Sequence, residues 1–594
     1  MKTALKLSPS PSPSAADGAD FIVACLERLG VEYVFGIPGG AIEPLYDALA
    51  RSERRGGPRA VIARHEAGAA YMADGYARES GKLGVCIATS GPGATNLITG
   101  VACARENRVP MLVITGQPPL HSFGRAALQE SSCTGIDTVA MMRHCAGFSS
   151  LVSHPDQLGR KLFRALMAAL RTPQGPAHLS IPVDLLRAPI SGEFDLDRMG
   201  ALLTEPSSLL DLAAVERLHD ALEQASRPVF VIGEGCGEAI APLMRLLAQT
   251  GAEFITTPDA KGCINPRHPA YRGVIGFGGH ASAAALLRKS PDLIVAFGTG
   301  FGELSSAGWS DALLCERLIH VDANDEHLSR TPMARLHVRG CIAGVCEQLV
   351  ARRADAQGTQ GAAILPFGES GDALLDDAHA FHSDAVPIKP QRLMKALTEH
   401  CPPHTRFVAD TGNSMIWAVH CLAPRDRRTR AATVPGDQRR PRGSWLRVTM
   451  DFAPMGWAIG SAVGIASAQP GVPVVCITGD GSYLMSGQEI TVAAELGLPV
   501  LYVILNDSAL GMVKHGQRLA GAEPIGTALP QVDYALMARA MGIAGHVIHS
   551  AADLAALDWP TLLSRRGPTL LDVRIDGDEV PPMGLRLRTL GSAQ

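Results

Sequence analysis

GDGSYLMSGQEITVAAELGLPVLYVILND, residues 479–507, decides how this chain folds. Before it runs the apolar VPVVCI, of strand length; SGQEITVAAELG follows with helical patterning, and LPVLYVIL is a second strand-length apolar run. Continuous apolar strands belong to sheets covered on both faces, so the stretch reads as one βαβ unit of a parallel sheet. Asp480 and Asp507 then stand at the carboxyl ends of their strands, the edge where ligands bind in open α/β sheets. Gly479, Gly481 and Ser482 let the backbone come close to a phosphate at the start of the helix, where the amide dipoles favour an anion. Two oxygen ligands beside that anion suit Mg²⁺. A lone Gly-Asp-Gly after a strand is more often a turn than a site. The second oxygen ligand, 27 residues on, is what turns it into a candidate site.

Outward from there, the same alternation of apolar strands and amphipathic helices occurs three times, which predicts an α/β protein of three consecutive open parallel-sheet domains. The first, residues 17–190, carries EYVFGIP, LGVCIATS, MLVITG and AHLSIPV; the second, 205–355, carries PVFVIG, DLIVAFG and RLIHVDA. A polar, glycine-bearing stretch, 356–387, reads as a linker, and the third domain, 388–580, carries RFVADTG, PVVCITGDG, VLYVILND and TLLDVRI. Residues 1–16, with their Ser-Pro alternation, and 581–594 read as tails.

Composition excludes several classes. A chain of 594 residues is too long for one core, and 46% hydrophobic with 19% charged residues is ordinary globular usage. A net charge of −4 gives no sign of a nucleic-acid or membrane-surface partner. No apolar run approaches a spanning length, and the start has no signal-peptide core. Thirteen cysteines without metal-ligand spacing read as free thiols in a reducing cytoplasm.

The Asp480/Asp507 arrangement resembles the diphosphate-binding motif of thiamine diphosphate (ThDP) enzymes, although Asp507 stands where Asn is commonest. RHEAGAAYMADGYARESGKLGVCIATSGPGATNLITG (64–100) is similar to the pyrimidine-binding domain of acetolactate synthases. So are FGIPGGAIEPLYDAL (35–49), RTPQGPAHLSIPVDL (171–185), DFAPMGWAIGSAVG (451–464) and LGMV (510–513) to other parts of that family. The resemblance implies a divergent member, with ThDP, Mg²⁺ and, on the central domain, FAD as cofactors. It places Glu66 against the aminopyrimidine ring and Gln129 beside the cofactor as catalytic residues. It gives Mg²⁺ the side chains of Asp480 and Asp507 and the carbonyl of Ala509. Met455 would wedge the cofactor into its bent shape, Ala453 would offer it a carbonyl, and Met512 would pack near it. The family builds each site from two subunits, which implies a homodimer or homotetramer.

The departures fall in the substrate pocket. Gly300 and Leu304 occupy the positions of the family's two arginines, Gly147 that of a lysine, Gly516 that of a tryptophan and Leu128 that of a phenylalanine. Losing an Arg removes the bidentate partner of a carboxylate, and losing Trp opens volume. The expectation is decarboxylation of a 2-oxo acid, pyruvate, and transfer to an acceptor carbonyl other than the usual small keto acid. The alternatives are acetolactate synthase proper, a decarboxylase or oxidase without acceptor, and a non-catalytic homologue. The arginine-dense stretch 425–447 reads as a solvated surface loop, with a lid as the alternative.

Overall fold

The computed structural model describes residues 17–190, 195–204, 209–357, 379–424 and 444–584. The Ser-Pro tail, residues 358–378 of the expected linker, 425–443 of the arginine-dense stretch and 585–594 lie outside the described residues. The chain divides into two compact units, Met1–Ala77 with Lys82–Pro206, and Arg78–Gly81 with Ser207–Gln594.

The first unit is built on strands β1 (Tyr33–Gly36), β2 (Arg59–Ile62), β3 (Gly84–Ala88), β4 (Met111–Gln117), β5 (Phe148–Leu151) and β6 (Pro176–Pro182). They form one parallel sheet in the order β2-β1-β3-β4-β6-β5. β3, β4 and β6 are buried along their whole length, as strands with helices on both faces must be. Helices such as Leu158–Leu170 bury one apolar stripe against them.

The second unit holds two more six-stranded parallel sheets. One comprises β7 (Pro228–Ile232), β8 (Glu253–Thr256), β9 (Tyr271–Val274), β10 (Leu293–Phe297), β11 (Leu318–Asp322) and β12 (Leu336–Arg339), ordered β12-β11-β10-β7-β8-β9. Counted within the sheet this is 3-2-1-4-5-6 read from the far edge, the strand order of dinucleotide-binding folds. The other comprises β13 (Arg406–Ala409), β14 (Leu446–Arg447), β15 (Val474–Gly479), β16 (Val500–Asn506), β17 (Ala544–Ile548) and β18 (Thr569–Arg574), ordered β14-β13-β15-β16-β18-β17. The first and third sheets therefore share the order 2-1-3-4-6-5. In each, the chain reverses its direction of winding between the first and third strands, the crevice where such sheets take ligands.

Several expectations shift in detail. The helix of the opening stretch starts at Asp480 rather than at Ser486, and continues as Asp480–Ser486, a 3₁₀ turn Gly487–Glu489, and Ile490–Leu496. The break falls where Gly487 packs on the Tyr483 ring, 2.7 Å from where a Cβ would sit. The end of the arginine-dense stretch is no surface loop: Trp445 and Arg447 are buried and Leu446–Arg447 is an edge strand. Phe381, in the stretch read as linker, and Met583, in that read as tail, both join the core of the third sheet.

Candidate functional site

In the first unit the helix Glu66–Ser80 begins on Glu66 itself, with the His65 ring accepting from the N–H of Ala67 at 3.1 Å. The Glu66 carboxylate thus lies at a helix N-terminus, where an anion is favoured. It is 8% exposed, and its Oε2 accepts from Asn96 Nδ2 at 2.9 Å. Gly93 lies beside the other oxygen, Oε1, which is 3.3 Å from where a Cβ would project. Two residues earlier Gly91, at φ 60°, packs on the backbone of Gln129, itself at φ 58°. The short helix Pro92–Asn96 brings Glu66 and Gln129 to the same end of the sheet, next to the reversal between β1 and β3. Gln129 and Leu128 are exposed; Leu128 is 87% so. Gln117, at the end of β4, fixes that loop: its Nε2 donates to Ser131 O at 2.9 Å and its Oε1 accepts from Ser131 N at 3.1 Å.

In the second unit Asp480 and Asp507 follow the neighbouring strands β15 and β16. Asp480 Oδ1 accepts from Gly481 N at 2.8 Å, and its Oδ2 is buried with no partner. Burial, reinforced by Asp507, holds the Asp480 carboxyl up to about 7. Burial also raises Asp507, to about 6. Two desolvated carboxylates next to one another, one with an orphaned oxygen, carry the kind of charge that a cation would offset. Among the described residues no group of three His, Cys, Asp or Glu could hold a metal, so a cation here would need further ligands from backbone or from a bound anion. Ala509 is pinned by a bridge to Ala528, and Ser508 takes φ 53° to bring it there.

Of the flanking residues, Met455 comes close to the Asp480 turn. The Met455 methyl is 3.5 Å from where a Gly481 Cβ would sit, and Gly479 faces open space. Ser482 is buried, and Met512 packs at the edge of the core. Two residues that sequence reasoning missed also belong here. Asn413 lies against Gly511 together with Asp507, and Asp410 bonds the turn at Gly456. The signal was available: Asp410 is an acid directly after a buried strand, as Asp480 is.

Family models match three successive stretches of the chain: the N-terminal TPP binding domain of thiamine pyrophosphate enzymes over residues 16–141, their central domain over 215–349 and their C-terminal TPP binding domain over 428–573. The large subunit of acetolactate synthase isozyme 2 from Escherichia coli (strain K12) is 32% identical, covering 95% of this chain and 98% of that one. The chain belongs to the acetolactate synthase family of thiamine pyrophosphate enzymes. Acetolactate synthase from Mycobacterium bovis is 32% identical over 95% and 89% of the two chains, and the isozyme 1 large subunit of E. coli 30% over 97% of each. As an acetolactate synthase-like enzyme the protein is ThDP-dependent. Gly300 stands in a crowded place. The His327 ring comes within 2.9 Å and the Arg330 guanidinium within 3.2 Å of where a Cβ would stand, and Arg330 donates to Gly300 O at 2.9 Å. His327 is oriented by Asp322 at 2.8 Å. At Gly516 none of the described residues lies within 4 Å of where a Cβ would project, so among them that position is open. Gly147 has the Arg105 guanidinium 3.9 Å from its Cβ position.

Proposed function

We propose that this enzyme decarboxylates a 2-oxo acid, pyruvate, and transfers the two-carbon acyl anion equivalent to an acceptor carbonyl bulkier than the usual small keto acid. The observation that carries the cofactor part is the orphaned, buried Oδ2 of Asp480 beside the desolvated Asp507. Asp480, Asp507 and the carbonyl of Ala509 would hold Mg²⁺; Gly479, Gly481 and Ser482 would hold the diphosphate, and Ala453, Met455 and Met512 the rings. When bound, ThDP supplies an electron sink for the bond broken on loss of carbon dioxide.

The protein's own part is proton management and orientation. Glu66 Oε2 is engaged by Asn96, which leaves Oε1, beside the missing side chain of Gly93, to hold a proton at the pyrimidine nitrogen. Gln129, exposed on a loop pinned through Gln117, would orient donor and adduct. The open space at Gly516 is what favours a bulkier acceptor. For FAD, the central sheet has the dinucleotide-binding strand order, and the buried Nδ2 of Asn324, just past β11, has no partner. Asn324 would donate to a bound nucleotide; the visible absorbance of purified protein decides whether flavin is carried. The working form is a homodimer or homotetramer in the cytoplasm.

A second reading, acetolactate synthase proper, is favoured by the names of the relatives and their near-complete coverage. One experiment separates the two: ThDP, Mg²⁺ and pyruvate with and without a panel of aldehydes and ketones, following carbon dioxide and product mass together. Brisk acetolactate formation from pyruvate alone establishes the second reading. Slow carbon dioxide release that accelerates with one bulkier acceptor establishes the first.

A further inference from the structure

The third sheet reverses its winding between β13 and β15, and Asp410 is the first residue past β13. It is fully buried, and all of its polar atoms are engaged. Its N–H donates to Ile477 O at 2.9 Å, and its carbonyl accepts from Ser414 Oγ at 2.8 Å. Oδ2 of its carboxylate accepts from Gly456 N at 2.9 Å and from Thr478 Oγ1 at 3.0 Å. Oδ1 accepts from Thr411 N at 3.1 Å and Ala458 N at 3.4 Å. The four groups around the carboxylate are neutral donors, and an ionised carboxylate accepts on both oxygens. An amide in its place would turn an NH₂ onto Gly456 N–H or onto those of Thr411 and Ala458.

The helix Trp457–Ala468 starts at Gly456, which takes φ 85°, and no side chain of its own caps it. Asp410 supplies the missing acceptor from another strand. Ser, Thr or Asn caps a helix without burying a charge, so capping alone does not account for an aspartate here. What distinguishes the arrangement is that one atom, Oδ2, receives donors from two places. Gly456 adjoins Met455 and lies three residues after Ala453; Thr478 lies two residues before Asp480. A single oxygen thereby ties the turn assigned to the pyrimidine side of the cofactor to the strand end assigned to its diphosphate side.

We infer that Asp410 is a positioning residue that sets the bend of the bound cofactor by fixing the spacing between these two segments, an inference that rests on the ThDP reading above. The test uses full-length protein with ThDP and Mg²⁺ and needs no acceptor. Cofactor affinity is measured by calorimetry, and the exchange rate of the C2 proton of bound ThDP by quenched NMR. In Asp410→Ala exchange slows on the order of a hundredfold, the usual consequence of a misplacement of about 1 Å, while Kd for ThDP changes less than about fivefold. Exchange within about twofold of wild type, or a loss of exchange fully matched by lost affinity, overturns the inference. If Asp410→Ala does not reach the native fold, Asp410→Asn carries the same two outcomes. Wild-type protein that binds no ThDP overturns the cofactor reading and this inference with it, whereas binding by wild type together with normal exchange in the variant overturns the inference alone.

Discussion

Glu66 and Asp507 put the site to its sharpest tests at the scale of single residues. Glu66→Gln keeps the shape of the side chain and its contact with Asn96 but removes the carboxylate. Turnover should fall by about 10²–10⁴-fold, the usual worth of a positioned proton-transfer group, with the melting temperature unchanged. Carbon dioxide release on pyruvate reads it, and undiminished turnover would refute the role. Asp507→Asn keeps an oxygen ligand and removes one of two neighbouring desolvated charges, the half-buried one beside buried Asp480. Without metal the variant should melt about 2–4 °C higher, the shift about 1 kcal/mol produces in a large chain. The further gain in melting temperature on adding Mg²⁺ and ThDP should shrink, because the cation loses a charged ligand. An unchanged metal-free melting point together with a full ligand-induced gain would show that the two carboxylates do not repel.

At the scale of elements, two glycines that look alike in the sequence behave differently. Gly516 lies on the helix Gly511–Leu519 with nothing near its Cβ position, whereas Gly300 follows β10 under His327 and Arg330. Gly516→Trp should therefore fold with unchanged stability and slow the reaction with bulky acceptors most. Gly300→Arg should overpack its loop and destabilise by about 1–3 kcal/mol, read by denaturant unfolding, with relief when His327 is also replaced by Ala. Equal tolerance of both substitutions would contradict this. The same contrast governs which strands were legible. β1, β3, β4 and β6, and again β13, β15, β16 and β18, are the four interior strands of their sheets, and each stands out as an apolar run. The edge strands do not: β2 and β17 are exposed or half-buried at all but one position each, and β14 is two residues long. An edge strand is covered on fewer sides and has no need of a continuous apolar run. β8, an interior strand, shows no such run: in Glu253–Thr256 only Phe254 and Ile255 are apolar, between Glu253 and Thr256.

At the scale of the whole molecule, the second unit closes on itself where Lys389, at the start of the helix Pro390–His400, meets residues past β18. Its Nζ lies 2.8 Å from Asp576 and 2.6 Å from Glu579. The hydrogen bond from Lys389 holds the Asp576 carboxyl below its usual range. The stability this gives is present above about pH 4, the ordinary value, and is lost as pH falls through the lowered folded value. Lys389→Met should lower the melting temperature at neutral pH and flatten its decline on the acid side; parallel curves for variant and wild type would show that the contact contributes nothing. What the sequence by itself determined is the three-sheet α/β class, the family, and the acids at the strand ends. Those rest on local patterns, namely buried runs, glycine turns and a fixed interval between two aspartates. What only the tertiary structure decided is which neighbours those residues meet. His327 fills the space over Gly300, Asn96 takes one oxygen of Glu66, and Asp410 joins two segments 22 residues apart in sequence, Gly456 and Thr478. Contacts of that kind depend on which strands lie side by side, and strand order is set by packing of the whole sheet rather than by any short stretch of chain.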